Sequence, residues 1–306
     1  MQVDTSGHSF KPMQTLRKLL FLAACSSAVT AFAQADHFVT TWQTNNTLPV
    51  GSSGPTTIII PTTGAGYDYD VDWDNDGVFD EFGITGNATH DYGVAGTYTV
   101  RITGDFPRIY FNNTGDRWKL VAIEQWGTNP WTSMRRAFAG VRNPVMNATD
   151  LPDLSNVTDM HGMFFECHEF NSDISAWDVS NVTDMSRLFD RAYAFDQDLS
   201  AWDVSNVTNM SMLFKEAAAY DQPLSAWDVS SVTDMTYLFE NADSFDQSLD
   251  AWDVSNVTTM HHMFWNADAF NSAIGNWTGF SGSSVGEDSQ VPGMTRAITS
   301  GQLASW

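Results

Sequence analysis

The chain has 306 residues, with 14 basic against 37 acidic side chains and a net charge of −23. Such a surface repels phosphate backbones and anionic headgroups, which argues against nucleic acid and lipid-surface partners and favours cations or basic surfaces. Only two cysteines are present, Cys25 and Cys167, so no disulfide framework is available and packing or ions must hold the fold.

The first 33 residues read as an export signal. Lys11, Arg17 and Lys18 precede an apolar stretch from Leu19 to Phe32, and Ala31-Phe32-Ala33 offers a small-x-small cleavage site. Leu22-Ala23-Ala24-Cys25 is a competing lipobox that would make Cys25 a lipid anchor. Cleavage after Ala33 is preferred, because the apolar run before Cys25 is short. No later stretch approaches the ~20 consecutive apolar residues of a membrane span. The expected location is secreted or bacterial cell surface.

Residues 34–105 read as a small all-β domain. Phe38 to Trp42, Thr57 to Ile60, Tyr67 to Trp73 and Thr97 to Ile102 are β-branched and aromatic runs between Gly, Ser, Pro and Asp clusters. His90-Asp91-Tyr92 followed by Gly96-Thr97-Tyr98-Thr99-Val100 resembles the closing signature of the PKD domain, which implies an immunoglobulin-like sandwich. Asp72-Trp73-Asp74-Asn75-Asp76-Gly77 stands where that family usually has Trp-Asp-Phe-Gly-Asp-Gly. Asp72, Asp74, Asp76 and Asp80 alternate around Gly77 like the first half of an EF-hand loop, whose hard oxygens suit Ca²⁺. Gly83 stands at the twelfth position, where that loop needs Glu. The competing reading is an acidic turn needing no ion.

Residues 106–133 are a junction. Ile109, Phe111, Leu120, Val121 and Ile123 are expected to form edge strands that cap the repeats beyond them. From 134 to 277 the chain repeats itself. Trp177, Trp202, Trp227, Trp252 and Trp277 fall 25 residues apart, and Met134, Met160, Met185, Met210, Met235 and Met260 keep nearly the same beat. In the unit starting at Leu199, Leu-x-x-Trp-x-Val has leucine-rich-repeat spacing, with Trp202 and Val204 on one strand face. Met210, Leu213, Phe214, Ala217 and Tyr220 then come at 0, +3, +4, +7 and +10, a helical stripe. The expected fold is therefore an α/β solenoid of leucine-rich-repeat type, one parallel strand and one short helix per repeat. Residues 278–306, with Met294, Ala297 and Ile298, are expected to cap it or form a tail.

Trp-Asp-Val-Ser-Asn-Val-Thr-x-Met resembles the repeat of BspA-like leucine-rich-repeat surface proteins, also known from Mycoplasma lipoproteins. The resemblance covers about residues 123–277. It implies a secreted or surface-displayed protein, with adhesion or host-factor binding in some members, and no shared ligand or enzyme activity.

Within the repeat, the Trp column is expected to be buried. Asn156, Asn181, Asn206 and Asn256 are expected to bond the backbone of neighbouring repeats. Asp178, Asp203, Asp228 and Asp253 lie between the inward Trp and Val and should form an outward row, flanked by Ser180, Ser205, Ser230 and Ser255. That row is the sequence's candidate binding face, for a protein or glycan ligand. No catalytic set occurs once and only once, and the dominant carboxylates repeat, so a non-enzymatic binding or adhesion protein is expected. The alternatives are a structural matrix component bridged by Ca²⁺ and an accessory module of a polysaccharide-degrading system.

Overall fold

The β-branched runs become strands in the computed structural model, which describes residues 36–272, 274 and 277. The expected export signal, Cys25 and the expected cap over 278–306 lie outside these residues. The strands are β1 (Phe38–Gln43), β2 (Thr57–Ile60), β3 (Asp68–Asp72), β4 (Glu81–Ile84), β5 (Ala88–Asp91), β6 (Thr97–Asp105), β7 (Leu120–Gln125) and β8 (Val145–Met146). One mixed sheet has the order β4-β3-β6-β1-β7-β8, and β2 pairs with β5 in a second, two-stranded sheet. β7 is not the edge strand its sequence suggests: it lies inside the sheet, antiparallel to β1 and parallel to β8. Trp42, Tyr69, Val71, Val100 and Ile102 alternate inward and are fully buried.

A buried ion pair pins the loop before β2. Lys119 Nζ has no solvent exposure, lies 3.3 Å from Asp116, and donates to the carbonyls of Ser53, Gly54 and Thr57 at 2.8–3.1 Å. Asp116 in turn accepts from Ser53 N and Ile59 N. Each charge is thus hydrogen-bonded from several sides, the condition under which a buried pair is tolerated.

The α/β solenoid of strand-plus-helix repeats does not form. The described residues contain no helix, and their regular structure is all β. Each 25-residue unit is instead a rung built from successive tight turns. Within the rung around Met185, Leu188 N donates to Met185 O, Asp190 N to Arg187 O, and Ala192 N to Phe189 O. The alternate donors leave the rung. Met185 N, Arg187 N, Phe189 N and Arg191 N reach the carbonyls of Asn209, Ser211, Leu213 and Lys215 at 2.8–3.0 Å. The expected Trp-x-Val strand is likewise a pair of turns, Trp202 N to Leu199 O and Val207 N to Val204 O. Parallel pairing between rungs is reduced to single residues, Pro130 with Asp153 and then the series just before each Met, Asp159, Asp184, Asn209, Asp234, Thr259.

The 0, +3, +4, +7, +10 stripe reports burial correctly and backbone incorrectly. Met210, Leu213, Phe214, Ala217 and Tyr220 are all fully buried. Consecutive i to i+3 turns bring the same residues inward as a helix would. The conformation differs because residues at +2 and +6 from the Met have positive φ. Arg187, Met212, Tyr237, Glu166, Arg191 and Glu216 lie between 57° and 63°. A left-handed side-chain-bearing residue costs about 1–2 kcal/mol. Two per rung are offset by four inter-rung backbone bonds at about 0.5–1.5 kcal/mol each. Packing supplies the rest: Phe164, Phe189, Phe214, Phe239 and Phe264 stack from rung to rung with centroids 5.6–5.8 Å apart.

The segment after β6 closes the first rung. Phe111 N and Asn113 N donate to Ala137 O and Ala139 O, while the Arg108 guanidinium reaches Arg135 O at 2.8 Å. These three carbonyls hold the positions that receive the preceding rung's donors elsewhere in the stack. Trp126 bridges the two parts, with its ring 5.5 Å from that of Trp177, and one continuous apolar core runs through both.

Gly162 occupies the +2 position at φ 59°, and a Cβ there would meet nothing nearer than 3.5 Å. Gly162→Ala is expected to destabilise by about 1 kcal/mol through the backbone alone, measured by urea unfolding. In a helix the same change would stabilise by about 1 kcal/mol.

Candidate functional site

The outward row expected from the sequence is present, and its carboxylates are engaged locally. Asp178, Asp203, Asp228 and Asp253 are exposed, and each accepts the backbone N–H of the Ser two residues on, at 3.0–3.1 Å. The hydroxyls of Ser180 and Ser205 donate to the same oxygens at 2.6 Å. Hydrogen bonds from these serines, hydroxyl first and then backbone, hold Asp178 and Asp203 below the usual carboxylate range. Asp173 with Ser175, Asp198 with Ser200 and Asp184 with Ser186 repeat the device. A side chain that bonds the backbone two residues on shapes a turn.

Other repeated polar groups link rungs. Asn181, Asn206 and Asn256 donate from Nδ2 to the carbonyls of Ser155, Ser180 and Ser230. The indole N–H groups of Trp202, Trp227, Trp252 and Trp277 donate to the carbonyls of Ile174, Leu199, Leu224 and Leu249 at 2.9–3.1 Å. The Trp column is buried, with exposures of 2–6%. It therefore offers no stacking platform.

Where the repeat departs from itself, a different surface forms. Arg136 and Arg187 lie over the ring of Phe165 at 5.6 and 5.9 Å. Lys215 lies over Tyr237 at 5.0 Å, Tyr237 stacks on His262, and His262 meets Trp265 edge-on. Arg191 sits between Glu166 and Glu216 at 3.0 and 3.2 Å, and Tyr193 stacks on His168. These residues occupy positions +2, +5, +6 and +8 from the Met of their rungs, positions at which neighbouring rungs agree only at Asn241 with Asn266 and at Asp243 with Asp268. Reasoning from the repeat passes over them because it attends to what recurs; the lack of repetition is the signal that marks them.

Two polar groups, one buried and one partly buried, have no counterpart among the sequence expectations. Asp190 is 2% exposed, with Arg187 at 3.5 Å from one oxygen and no hydrogen-bond partner on the other. Burial pushes its carboxyl up to about 7, against the pull of Arg187 and Arg191. His161 Nδ1 lies 2.7 Å from Ser186 Oγ, which lies 2.5 Å from Asp184. The hydroxyl has one proton and the carboxylate takes it, so His161 donates to Ser186 and does not activate it. This order, with serine in the middle, is the reverse of a nucleophilic triad.

In the loop between β3 and β4, oxygens of Asp72, Asp74 and Asp80 lie within 4.8 Å of one another, whereas Asp76 is not part of that group. Asp76 accepts Val78 N instead, at 2.7 Å. Asp72 ends β3 fully buried, accepting Gly77 N at 3.0 Å and facing Arg101 at 3.6 Å. Burial raises its carboxyl, opposed by the Gly77 bond and by Arg101. Gly77 itself has φ 97°, a conformation that a side chain rarely adopts.

Residues 132–232 and 200–291 match the family described as Mycoplasma protein of unknown function, DUF285, and together the matches span more than half of the chain. The chain belongs to this family. No curated protein and no solved structure matches it. The DUF285 match begins just after Trp131, so it takes in the rungs and leaves β1 to β7 outside it.

Asp190 gives the DUF285 rungs a titration. Its folded pKa stands above the unfolded value, so the folded state binds the extra proton between roughly pH 4 and 7 and this group weakens the fold as pH rises through that window. Asp190→Asn is expected to stabilise by roughly 1–3 kcal/mol at pH 8 and by little at pH 5. Paired urea titrations at the two pH values check this.

Proposed function

We propose that this DUF285 protein is a non-catalytic exported protein of a bacterial surface, and that it binds its partner through the variable columns of the rung stack. One observation carries the reading: the side chains that hold the rungs repeat, while those at +2, +5, +6 and +8 vary and touch one another across several rungs. A scaffold needs the first set to be constant, and recognition of a particular partner needs the second to differ. Arg136, Arg187, Arg191 and Lys215 stand at these variable positions, the last three paired with Asp190, with Glu166 and Glu216, and with Glu240, beside Phe165, Tyr193, Tyr237 and Trp265. Cations beside aromatic faces suit an anionic glycan, which offers both carboxylate groups and stacking faces.

The finer relationships support export and display. The Trp-centred repeat resembles that of BspA-like surface proteins, and the segment from His90 to Val100 resembles the close of a PKD domain. Lys11, Arg17, Lys18 and the Ala31-Phe32-Ala33 site support secretion, with a lipid anchor at Cys25 as the competing arrangement. The leucine-rich-repeat element of the resemblance is set aside with the helices it requires.

The test is binding of the purified protein to arrays of acidic and neutral glycans and of matrix proteins, with added salt as a variable. Arg187→Glu combined with Lys215→Glu is expected to weaken acidic-glycan binding about tenfold or more, and about 1.4 kcal/mol corresponds to each tenfold step. Asp203→Asn should leave it unchanged. Binding that depends on Asp203 and its row would return recognition to the repeated carboxylates. Calcium-dependent self-association without glycan binding would favour the matrix role.

A further inference from the structure

The β3–β4 loop is independent of the rung surface and carries its own inference. Asp72 Oδ1 is withdrawn from solvent and has no hydrogen-bond partner, although the residue ends a central strand with no exposure. A buried carboxylate oxygen left without a donor is costly, and native proteins rarely leave one so. Asn75 Oδ1, three residues further on, is also buried and unpartnered. Around Asp72, the other two carboxylates are each half committed. Asp80 gives Oδ2 to Trp73 N at 2.8 Å, and Asp74 gives Oδ1 to Asp76 N at 3.2 Å. The remaining oxygen of each is available to a ligand, and both residues are exposed, which leaves an ion a way in.

We propose that Asp72, Asp74 and Asp80 bind one Ca²⁺ in this loop. All the side-chain donors are hard oxygens, with no nitrogen or sulfur, which selects against Zn²⁺. Two oxygens on opposite sides of a Ca²⁺ are separated by about twice its 2.3–2.6 Å bond length, and the 4.8 Å spread of the three carboxylates fits inside that sphere. The charges also close. Three carboxylates against Arg101 leave a net of about minus two, which a divalent ion neutralises. Asp76 is left out of the coordination, in contrast to a reading from spacing alone, because its oxygen shapes the turn at Val78. The ion would clamp the β3–β4 turn onto β6, which already meets Asp72 through Arg101.

Calorimetric titration of CaCl₂ into the chelator-treated full chain tests this, with thermal unfolding measured in parallel. The expected result is a Ca²⁺-dependent rise in Tm that MgCl₂ does not reproduce. It should be weakened about tenfold or more by Asp74→Asn or Asp80→Asn, since affinity in such sites depends on the number of ligand charges. Asp76→Asn should retain it. Both Asp74 and Asp80 are exposed, so these variants keep the fold, and circular dichroism without Ca²⁺ verifies that. No Tm response to millimolar Ca²⁺ would overturn the proposal. So would a response that survives Asp74→Asn and Asp80→Asn, because the ion would then sit on the acidic rungs, or one that falls equally with Asp76→Asn.

Discussion

Half of the backbone donors along one edge of each rung have no partner within it. Met185, Arg187, Phe189 and Arg191 point their N–H groups at the next rung; between them, Leu188 and Asp190 bond back three positions and Ser186 N donates to the Asp184 carboxylate. That alternation governs the rest of the molecule. A rung by itself would leave four buried donors unsatisfied, so it can fold only against a neighbour. It also requires two left-handed residues per rung, which fixes the side-chain columns. The inward columns become stacked aromatic rings and methionines, and the outward ones become the surface a partner would meet. The same need explains the segment from Arg108 to Asn113, which supplies to the first rung what another rung would have supplied.

The sequence makes burial legible more readily than backbone. The 25-residue beat, the inward Trp, Val, Met and Phe, and the cross-rung role of Asn181 and Asn206 can all be read from spacing, since a period records which residues face the core. The backbone cannot, because a helix and a run of i to i+3 turns bury the same 0, +3, +4, +7 positions. The residue that distinguishes them is the one with positive φ, and at Arg187, Met212 or Tyr237 nothing in its chemistry announces this. Gly140 and Gly162 are the only glycines at these positions among the described rungs. β4 and β5 escape notice for a related reason: Glu81 to Ile84 carries Gly83 mid-strand and buries no side chain fully, so it lacks the alternation that marks β1 and β6. At the metal loop, spacing nominates four carboxylates, and only their hydrogen bonds separate Asp76 from the others.

The acidity of the chain takes on a different meaning beside these bonds. A net of −23 suggests a surface built for cations, yet much of the negative charge in the rungs is occupied with the backbone. Asp173, Asp178, Asp184 and their equivalents form turns. Asp196, Asp221 and Asp246 each accept a backbone N–H from the next rung. A serine hydroxyl beside such a carboxylate already provides part of the solvation that an ion would supply. The β3–β4 loop differs because a fully buried oxygen there is left unanswered.

The cap on the first rung has a consequence for how copies of the protein can meet. Each rung donates forward from its Met-to-Arg191 edge and backward from its Thr208 and Trp202 positions, so its two sides differ. Ends of this kind do not match themselves across a two-fold axis. They match only head to tail, by the translation that relates one rung to the next, and such contacts generate open filaments instead of closed dimers. Covering one end is sufficient to prevent this, because a filament needs both. With Arg108, Phe111 and Asn113 seated on its first rung, the carbonyls of Arg135, Ala137 and Ala139 are already taken and closed to the last rung of another copy.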